Sequence, residues 1–483
     1  MKDKKMEEAV EKRKKSAQKE FEELISTYIL PLFDVRGALK SIKKPTFNKR
    51  LISIVKEDDK TYAYFYPKIG TKKHPSPFYC KVGIYSSPAL KKPATSILRE
   101  LLKVTEYDCN DTFSIKRNYG KGSGRQNSYK TRTLDLAFEL GMCQWIVDNP
   151  EDSTVLHTII CRMLEWSGRT YEGKNVPFGI VIDFNKKAKD EAADYLHFLT
   201  NDSSAVFTDG IFTGILLDKR GKVLSFLTRN SKAKSEDKSS KAVFVPYQFI
   251  DIAQYCKGAV IGIIVLTNGE ILIIKDRQLC FAKRGRKWVC FEWNRVYTNL
   301  RSYFLCGGIT DEKIIKRNIE AIYSTLLDVS FAHTGGCLSV VLPQKEKEID
   351  DVIKERIDLF VTGTEIKDVS EESREKIEVL SYLLSSPTNK LTSFFKIEEP
   401  LRKEILSLDG ATVVSVDGDF YCAGSIVAVG GGSSGGGRTA AAKKLAQYGV
   451  GIKVSEDGYI EAYGLNLSDT NTTSRIIPIF KFK

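Results

Sequence analysis

The segment with the clearest chemical potential is GlyGlyGlySerSerGlyGlyGly at positions 430–437, which runs into Arg438, Thr439 and a helix-forming stretch, 440–448, closed by Gly449. Glycines let backbone N–H groups come close to a ligand, and a helix beginning just after them offers the positive end of its dipole. Together these suit a phosphate. Arg438 at that terminus adds a charge and Thr439 a hydroxyl. The same composition also describes a flexible loop. It lacks the Lys-Ser/Thr ending of a P-loop and the strand-turn-helix setting of a dinucleotide fingerprint. Other candidates carry less. His157 and His197 fall on apolar helical faces and read as hydrogen-bonded core residues. Trp288 and Trp293, near Arg284 and Arg286, read as packing groups before base-stacking ones. The ten cysteines are scattered without a C-x-x-C pair. That predicts reduced thiols, mostly in the core, and neither a zinc site nor a disulfide framework.

The elements that must position the glycine-rich segment alternate in type. Residues 312–330 read as a helix, and HisThrGlyGlyCysLeuSerValVal at 333–341 as an apolar strand started by glycine. Helices are expected at 350–359 and 374–384, and 403–406 leads into a second buried strand at 409–416. Asp417-Gly418 then turns the chain into 420–429. Such alternation predicts an α/β (α+β) domain around a mixed sheet.

The preceding part reads as an α+β region. Apolar spacing predicts helices over 1–30, 134–145, 155–166 and 186–199, strands within 51–85 and at 179–183, and a hairpin of 212–217 with 222–227. Loops are expected at 117–132, which is basic and glycine-containing, and at the polar 231–241. The clearest hairpin is 261–275, two apolar runs about an Asn-Gly turn. Strands at 278–282 and 287–292, separated by the basic turn 284–286, complete an antiparallel meander over 251–293. No internal repeat is visible across the first 300 residues.

Taken in order, the C-terminal pieces resemble the diadenylate cyclase domain, of the type at the N-terminus of DisA. HisThrGlyGlyCysLeuSerValVal is similar to that family's Lys-Thr-Gly-Ala-Leu-Ile-Val-Ile strand, and its Asp-Gly-Ala motif stands unaltered as Asp409, Gly410 and Ala411. The family's Val-Ser-Glu strand end is matched by Val454, Ser455 and Glu456. In that register its Arg-His-Arg motif falls on Gly436, Gly437 and Arg438, so one basic residue of the three is kept. The resemblance implies a domain over 310–466 that binds ATP with magnesium or manganese. It also implies a homo-oligomer in which two such domains meet face to face and make cyclic di-AMP. By the same carry-over Asp409 activates the 3′-hydroxyl or holds the metal. Gly410 and Ala411 let the nucleotide lie near the backbone, Arg438 and Thr439 touch phosphates, and Ser455 and Glu456 line the site near the phosphates or the metal. Asp-Gly is also ordinary turn chemistry, and Glu456 equally heads a hairpin turn through Gly458. Losing an arginine and a histidine removes charge from where it builds up in the transition state. The domain is therefore either an enzyme that uses backbone amides instead, or a sensor that binds nucleotide without cyclising it.

Residues 169–173 and 176–179, leading into the strand that ends at Asp183, look similar to sensor regions that precede such cyclase domains. The chain is accordingly divided into a basic region, 1–150, a sensor region with the meander, 151–300, the cyclase-like domain and a tail, 467–483. The net charge is +13, and residues 1–150 hold 30 Lys/Arg against 18 Asp/Glu. That excess fits a solubilising surface and, as the weaker reading, a nucleic-acid contact. With 42% apolar residues, no run of ~18 consecutive apolar residues and no leader pattern, the sequence predicts a soluble cytoplasmic protein without a membrane span.

Overall fold

A computed structural model describes Lys19, Glu22, the strand residues 35–41, 52–57, 60–65, 70–71, 74–75 and 80–84, and then 123–171, 174–199, 207–228, 242–285, 287–353, 355–357, 370–385, 391–429, 436–467 and 476–482. The helix expected over 1–30 (Lys19 and Glu22 apart, both helical) and the polar stretch 231–241 lie outside these residues. The strands expected within 51–85 are present. β1 (Val35–Ser41), β2 (Ile52–Glu57), β3 (Lys60–Phe65) and β4 (Cys80–Ile84) form an antiparallel sheet in the order β1-β4-β3-β2.

Two long helices come next, α1 (Ser123–Val147) and α2 (Pro150–Ser167). The loop expected over 117–132 is corrected, because α1 already begins at Ser123. Its C-terminal half is anchored by the buried Met142, Cys143 and Ile146, and once a helix is nucleated each added residue costs little, so polar sequence is carried along. α2 starts at Asn149, whose side chain accepts the Glu151 N–H, with proline in the first turn, as helix N-termini favour.

The meander is part of something larger. β5 (Phe178–Asp183), β6 (Thr213–Asp218), β7 (Val223–Thr228), β8 (Val260–Val265), β9 (Ile271–Lys275), β10 (Gln278–Arg284) and β11 (Lys287–Cys290) form a seven-stranded sheet, ordered β7-β6-β5-β8-β9-β10-β11. β5 and β6 are parallel and every other pair is antiparallel. The helix expected at 186–199 shrinks to Tyr195–Phe198. Asp183 Oδ1 accepts the N–H groups of Asn185 and Lys186, and Asp218 Oδ2 accepts that of Ala188. These carboxylates offer the backbone an alternative to helical bonds and win.

After α3 (Trp293–Cys306) and α4 (Glu312–Ala332) the second sheet forms from β12 (Gly336–Val341), β13 (Ala411–Ser415), β14 (Phe420–Ser425), β15 (Gly449–Val454), β16 (Ile460–Leu465) and β17 (Ile476–Phe482). Its order is β14-β13-β12-β15-β16-β17, again with one parallel pair, β12 with β13. Residues 467–483, read as a tail, thus contribute the edge strand β17. α5 (Glu371–Leu384), α6 (Glu399–Leu406) and α7 (Gly437–Leu445) complete this part. Of the helix expected at 350–359, residues 350–353 are not helical, Ile357 is, and a short helix spans Glu346–Ile349 just before. Val352 and Ile353 instead pair with Val427 and Ala428, which draws the backbone out of a helical path.

The layers follow from strand alternation. Ile180, Ile182, Ile261 and Ile263 face α1 and α2, while Val181, Ile264 and Leu272 share a core with α3, α4 and the near face of the second sheet. α7 covers the far face of that sheet, packing Ala442 and Leu445 on Cys337 and Val413. Gly451 permits this, since a Cβ there would collide with the Ala442 carbonyl. The architecture is thus mixed α/β with two mixed sheets. No described helix is long and apolar enough to cross a membrane.

Candidate functional site

A cavity of about 610 Å³ opens where the turn before β13, the start of α7 and the end of β15 come together. Asp409, Gly410 and Ala411 reach it from the first of these, Gly436, Gly437 and Arg438 from the second, and Ser455 and Glu456 from the third. Each position has a local cause. Gly410 has φ +105°, and a Cβ on it would strike the Gly424 backbone, so only glycine lets this turn close onto β14. Gly436, at φ +79°, is the residue from which α7 starts. Ser455-Glu456-Asp457-Gly458 is the tight turn between β15 and β16, closed by the Gly458 N–H on the Ser455 carbonyl at 2.8 Å. Of the glycine-rich segment, 430–435 lies outside the described residues.

Asp409 is exposed at the cavity, and its Oδ1 accepts the adjacent Gly410 N–H at 3.1 Å. Arg438 donates from Nη1 to Glu456 Oε1 at 2.8 Å, while its Nε is buried and has no acceptor among the described residues. Gly335 leaves room for this guanidinium, since a Cβ there would stand 2.9 Å from Nη1. Thr439 does not line the cavity. It is buried in α7, and its Oγ1 accepts from Lys453 Nζ at 2.8 Å. Its role is therefore to hold a cation that does line the cavity, rather than to touch a ligand.

Lys453 was not legible as a site residue from the glycine-rich motif, although its spacing contained the signal. It lies two residues before Ser455, and alternate strand residues share a face. Ile426, Val427 and Val429 add an apolar rim. Burial pushes the Cys337 thiol in the same wall up to about 12, so it is no nucleophile. Among the described residues the walls carry three carboxylates, Asp409, Glu456 and Asp457, against two cations, Arg438 and Lys453. A triphosphate placed here would meet an excess of negative charge unless divalent cations accompanied it. Asp409 and Glu456 are exposed oxygen donors on one cavity, the type of ligand magnesium and manganese take, so the residues present fit such an ion.

The site turn is tied to the first sheet. His333, the left-handed C-cap of α4 at φ 55°, donates from Nδ1 to the Glu456 carbonyl at 2.8 Å, and its Nε2 accepts from Asn268 Nδ2 at 2.9 Å. Arg284, read from sequence as a turn residue, is buried at the end of β10. It pairs with Glu270 at 3.2 Å, donates to Ser330 Oγ at 2.9 Å and also bonds the Gly458 carbonyl. Both contacts grip the turn that carries Glu456. The histidines and tryptophans also sort themselves. His197 is exposed rather than buried, correcting the expectation, and His157 is half-buried facing Glu139 and Cys161. Trp293 stacks on Phe244 with centroids 4.2 Å apart, and Trp288 donates to Glu139 at 2.8 Å, so both pack internally.

The first sheet repeats the turns of the second without the chemistry. Asp209-Gly210 precedes β6 as Asp409-Gly410 precedes β13, and both glycines have positive φ. Gly221 closes β6–β7 onto Asp218 as Gly418 closes β13–β14 onto Ser415. Gly269 closes onto Leu266 at 2.9 Å as Gly458 does onto Ser455. AlaGlnTyr occurs before β8 at 253–255 and before β15 at 446–448. Counting from these landmarks, Val245, Ile264 and Leu266 stand where the second unit has Arg438, Lys453 and Ser455, and all three are core residues. No protein-family model, curated protein or solved structure matches the chain, so what the site does must be argued from its own geometry.

Proposed function

We propose that this cavity binds ATP and that the C-terminal unit is a nucleotidyltransferase of diadenylate cyclase type, condensing two ATP into cyclic di-AMP when two such cavities face each other. The observation that carries this reading is convergence. Three separate segments of the C-terminal unit, each holding a piece of the cyclase-like pattern, line one cavity large enough for a nucleotide. In this reading Gly410 and Ala411 let the nucleotide approach the backbone, and Arg438 and Lys453 face its phosphates. Lys453 restores part of the charge that the Arg-His-Arg pattern lacks. Asp409 with Glu456 would hold magnesium or manganese, which when bound would supply Lewis acidity at the phosphates. Asp409 takes the proton as the 3′-oxygen of one ATP attacks the α-phosphorus of the other and pyrophosphate leaves; the reciprocal attack closes the ring. The grip of His333 and Arg284 on the Glu456 turn supports control of the site by the preceding sheet.

The Arg438–Glu456 pair favours a second reading. An arginine already engaged by a carboxylate at 2.8 Å is a closed phosphate grip, which suits a sensor that opens on binding nucleotide and does not cyclise it. Purified full-length chain with labelled ATP and manganese or magnesium separates the two. A cyclic dinucleotide from wild type and none from Asp409→Asn supports the enzyme. Saturable ATP binding, weakened by Arg438→Ala and without product under either metal, selects the sensor. No binding at all sinks both.

A further inference from the structure

The helical hairpin in front of the first sheet carries donors that the nucleotide site leaves unused. His157 and Cys161 lie one turn apart on α2 and so face the same way. Glu139 comes from α1, across the hairpin. The three bring a carboxylate oxygen, an imidazole nitrogen and a sulfur within 4.8 Å of one another, with Glu139 buried and the other two half-buried.

The spacing is informative. His157 Nε2 is 3.6 Å from Glu139 Oε2 and 3.7 Å from Cys161 Sγ. The first distance exceeds an N–H···O hydrogen bond, about 2.7–3.2 Å. Both lie close to the edges of a tetrahedron whose nitrogen, oxygen and sulfur corners stand about 2.0–2.3 Å from a central zinc ion, edges of roughly 3.3–3.6 Å. The carboxylate is already oriented for such a role. Its Oε1 accepts from Trp288 Nε1 at 2.8 Å and from Lys283 Nζ at 3.1 Å, which leaves Oε2 turned to the histidine. Outer hydrogen bonds of this sort fix the direction of a ligating side chain. Lys283 by itself balances the charge of Glu139, so an ion network alone has no need of a thiol at this point.

We propose that Glu139, His157 and Cys161 bind a divalent cation of zinc type, with a fourth position open to solvent, and so clamp α1 to α2. The mixed sulfur, nitrogen and oxygen set matches zinc among common ions. The donors come from two helices, which is why no C-x-x-C pair announces them.

The test uses the full-length chain, stripped with a chelator, dialysed and titrated with cobalt(II). One equivalent is expected to bind with a near-ultraviolet sulfur-to-cobalt charge-transfer band, and zinc displaces it. Cys161→Ser removes the band, while Cys306→Ser, an exposed thiol at the end of α3, keeps it. Cys161→Asp retains a ligand and binds cobalt without the band, which distinguishes loss of sulfur ligation from loss of fold. Trp288→Phe weakens cobalt binding about tenfold. No cobalt uptake by the wild type, or a band that survives in Cys161→Ser, overturns the proposal. So does a band lost in Cys306→Ser with Cys161 intact.

Discussion

The two large sheets share a plan and differ in what stands at one end of it. In both, a helix feeds a central strand with a parallel neighbour on one side, that neighbour turns back as a hairpin, and an antiparallel meander builds out on the other side. The three turns that close this plan have glycine at positive φ in each sheet. In the second sheet the ends of the turns carry Asp409, Arg438, Lys453, Ser455 and Glu456 around a cavity. In the first, the corresponding positions hold Val245, Ile264 and Leu266 in the core, and Asp209 is spent on its own loop. It accepts from the backbone of Ile211, Phe212 and Thr213 and from the Thr213 hydroxyl. The scaffold therefore does not specify the chemistry; a few side chains at its turn ends do. The first unit keeps the architecture and uses it to hold the second through Arg284 and Asn268.

The comparison predicts the largest effect at its two aspartates. Under the proposed cyclase reading, Asp409→Asn should lower cyclic di-AMP formation by about a hundredfold or more. Asp209→Asn should leave turnover unchanged, because an amide oxygen still accepts the loop N–H groups. Equal losses in both variants, measured as initial rates of product formation, would break the assignment of chemistry to one unit alone.

Arg284→Met probes the link between the units. The Arg284 and Glu270 side chains are 4% and 7% exposed, and removing one partner of a buried pair leaves the other uncompensated, at a cost of about 3–5 kcal/mol. Denaturant unfolding should show that loss, together with weaker ATP binding as the Glu456 turn loosens. A variant as stable as wild type would mean that the units do not hold each other here.

The glycines sharpen the comparison at a smaller scale. Gly210→Ala and Gly410→Ala each force alanine to a positive φ, costing about 1–3 kcal/mol, and each new Cβ also meets a close contact, with Ile264 at Gly210 and with the Gly424 backbone at Gly410. Only Gly410→Ala should also impair ATP binding, read by calorimetry.

A pH-dependent effect concerns Asp328 of α4, which accepts the Tyr247 N–H from the first unit at 2.6 Å. Burial, reinforced by the neighbouring Glu399 and opposed by that hydrogen bond and by Arg402, raises its carboxyl well above the ordinary range. Folded protein then holds a proton that the unfolded chain releases near pH 4. This stabilisation is present below that value and is lost as pH rises toward the elevated folded value. Melting temperature should fall from about pH 5 to about pH 8 by more in wild type than in Asp328→Asn. Parallel curves would remove this carboxyl from the account.

Much of the scaffold was legible from the chain. β-Branched runs broken by Asn-Gly and Asp-Gly mark the strands and hairpins at 261–275 and 409–425 because turn geometry and strand period are local properties. The misses have a common cause. Residues 186–194 look helical, yet Asp183 and Asp218 take their N–H groups, and Asp218 arrives from another strand. Arg284 looks like a turn residue, yet it is buried against Ser330 and Gly458. Lys453 shares a strand face with Ser455, yet that alternation does not by itself tell a cavity-facing side from a packed one. The recurrence between the sheets is equally faint in sequence, since its traces are AlaGlnTyr and the turn glycines while the core positions vary freely among apolar side chains.

Sequence alone determined the alternating elements, the turn chemistry and the placement of Asp409-Gly410-Ala411, Arg438 and Glu456 on element ends. These follow from interactions between residues close along the chain. Only the tertiary structure decided that those ends meet at one cavity, that Arg438 is engaged by Glu456 and that Lys453 joins them. It alone showed that the first sheet repeats the second with an apolar filling. Such facts depend on which strands pair and which helices cover them, and those pairings are set by burial summed over the whole chain.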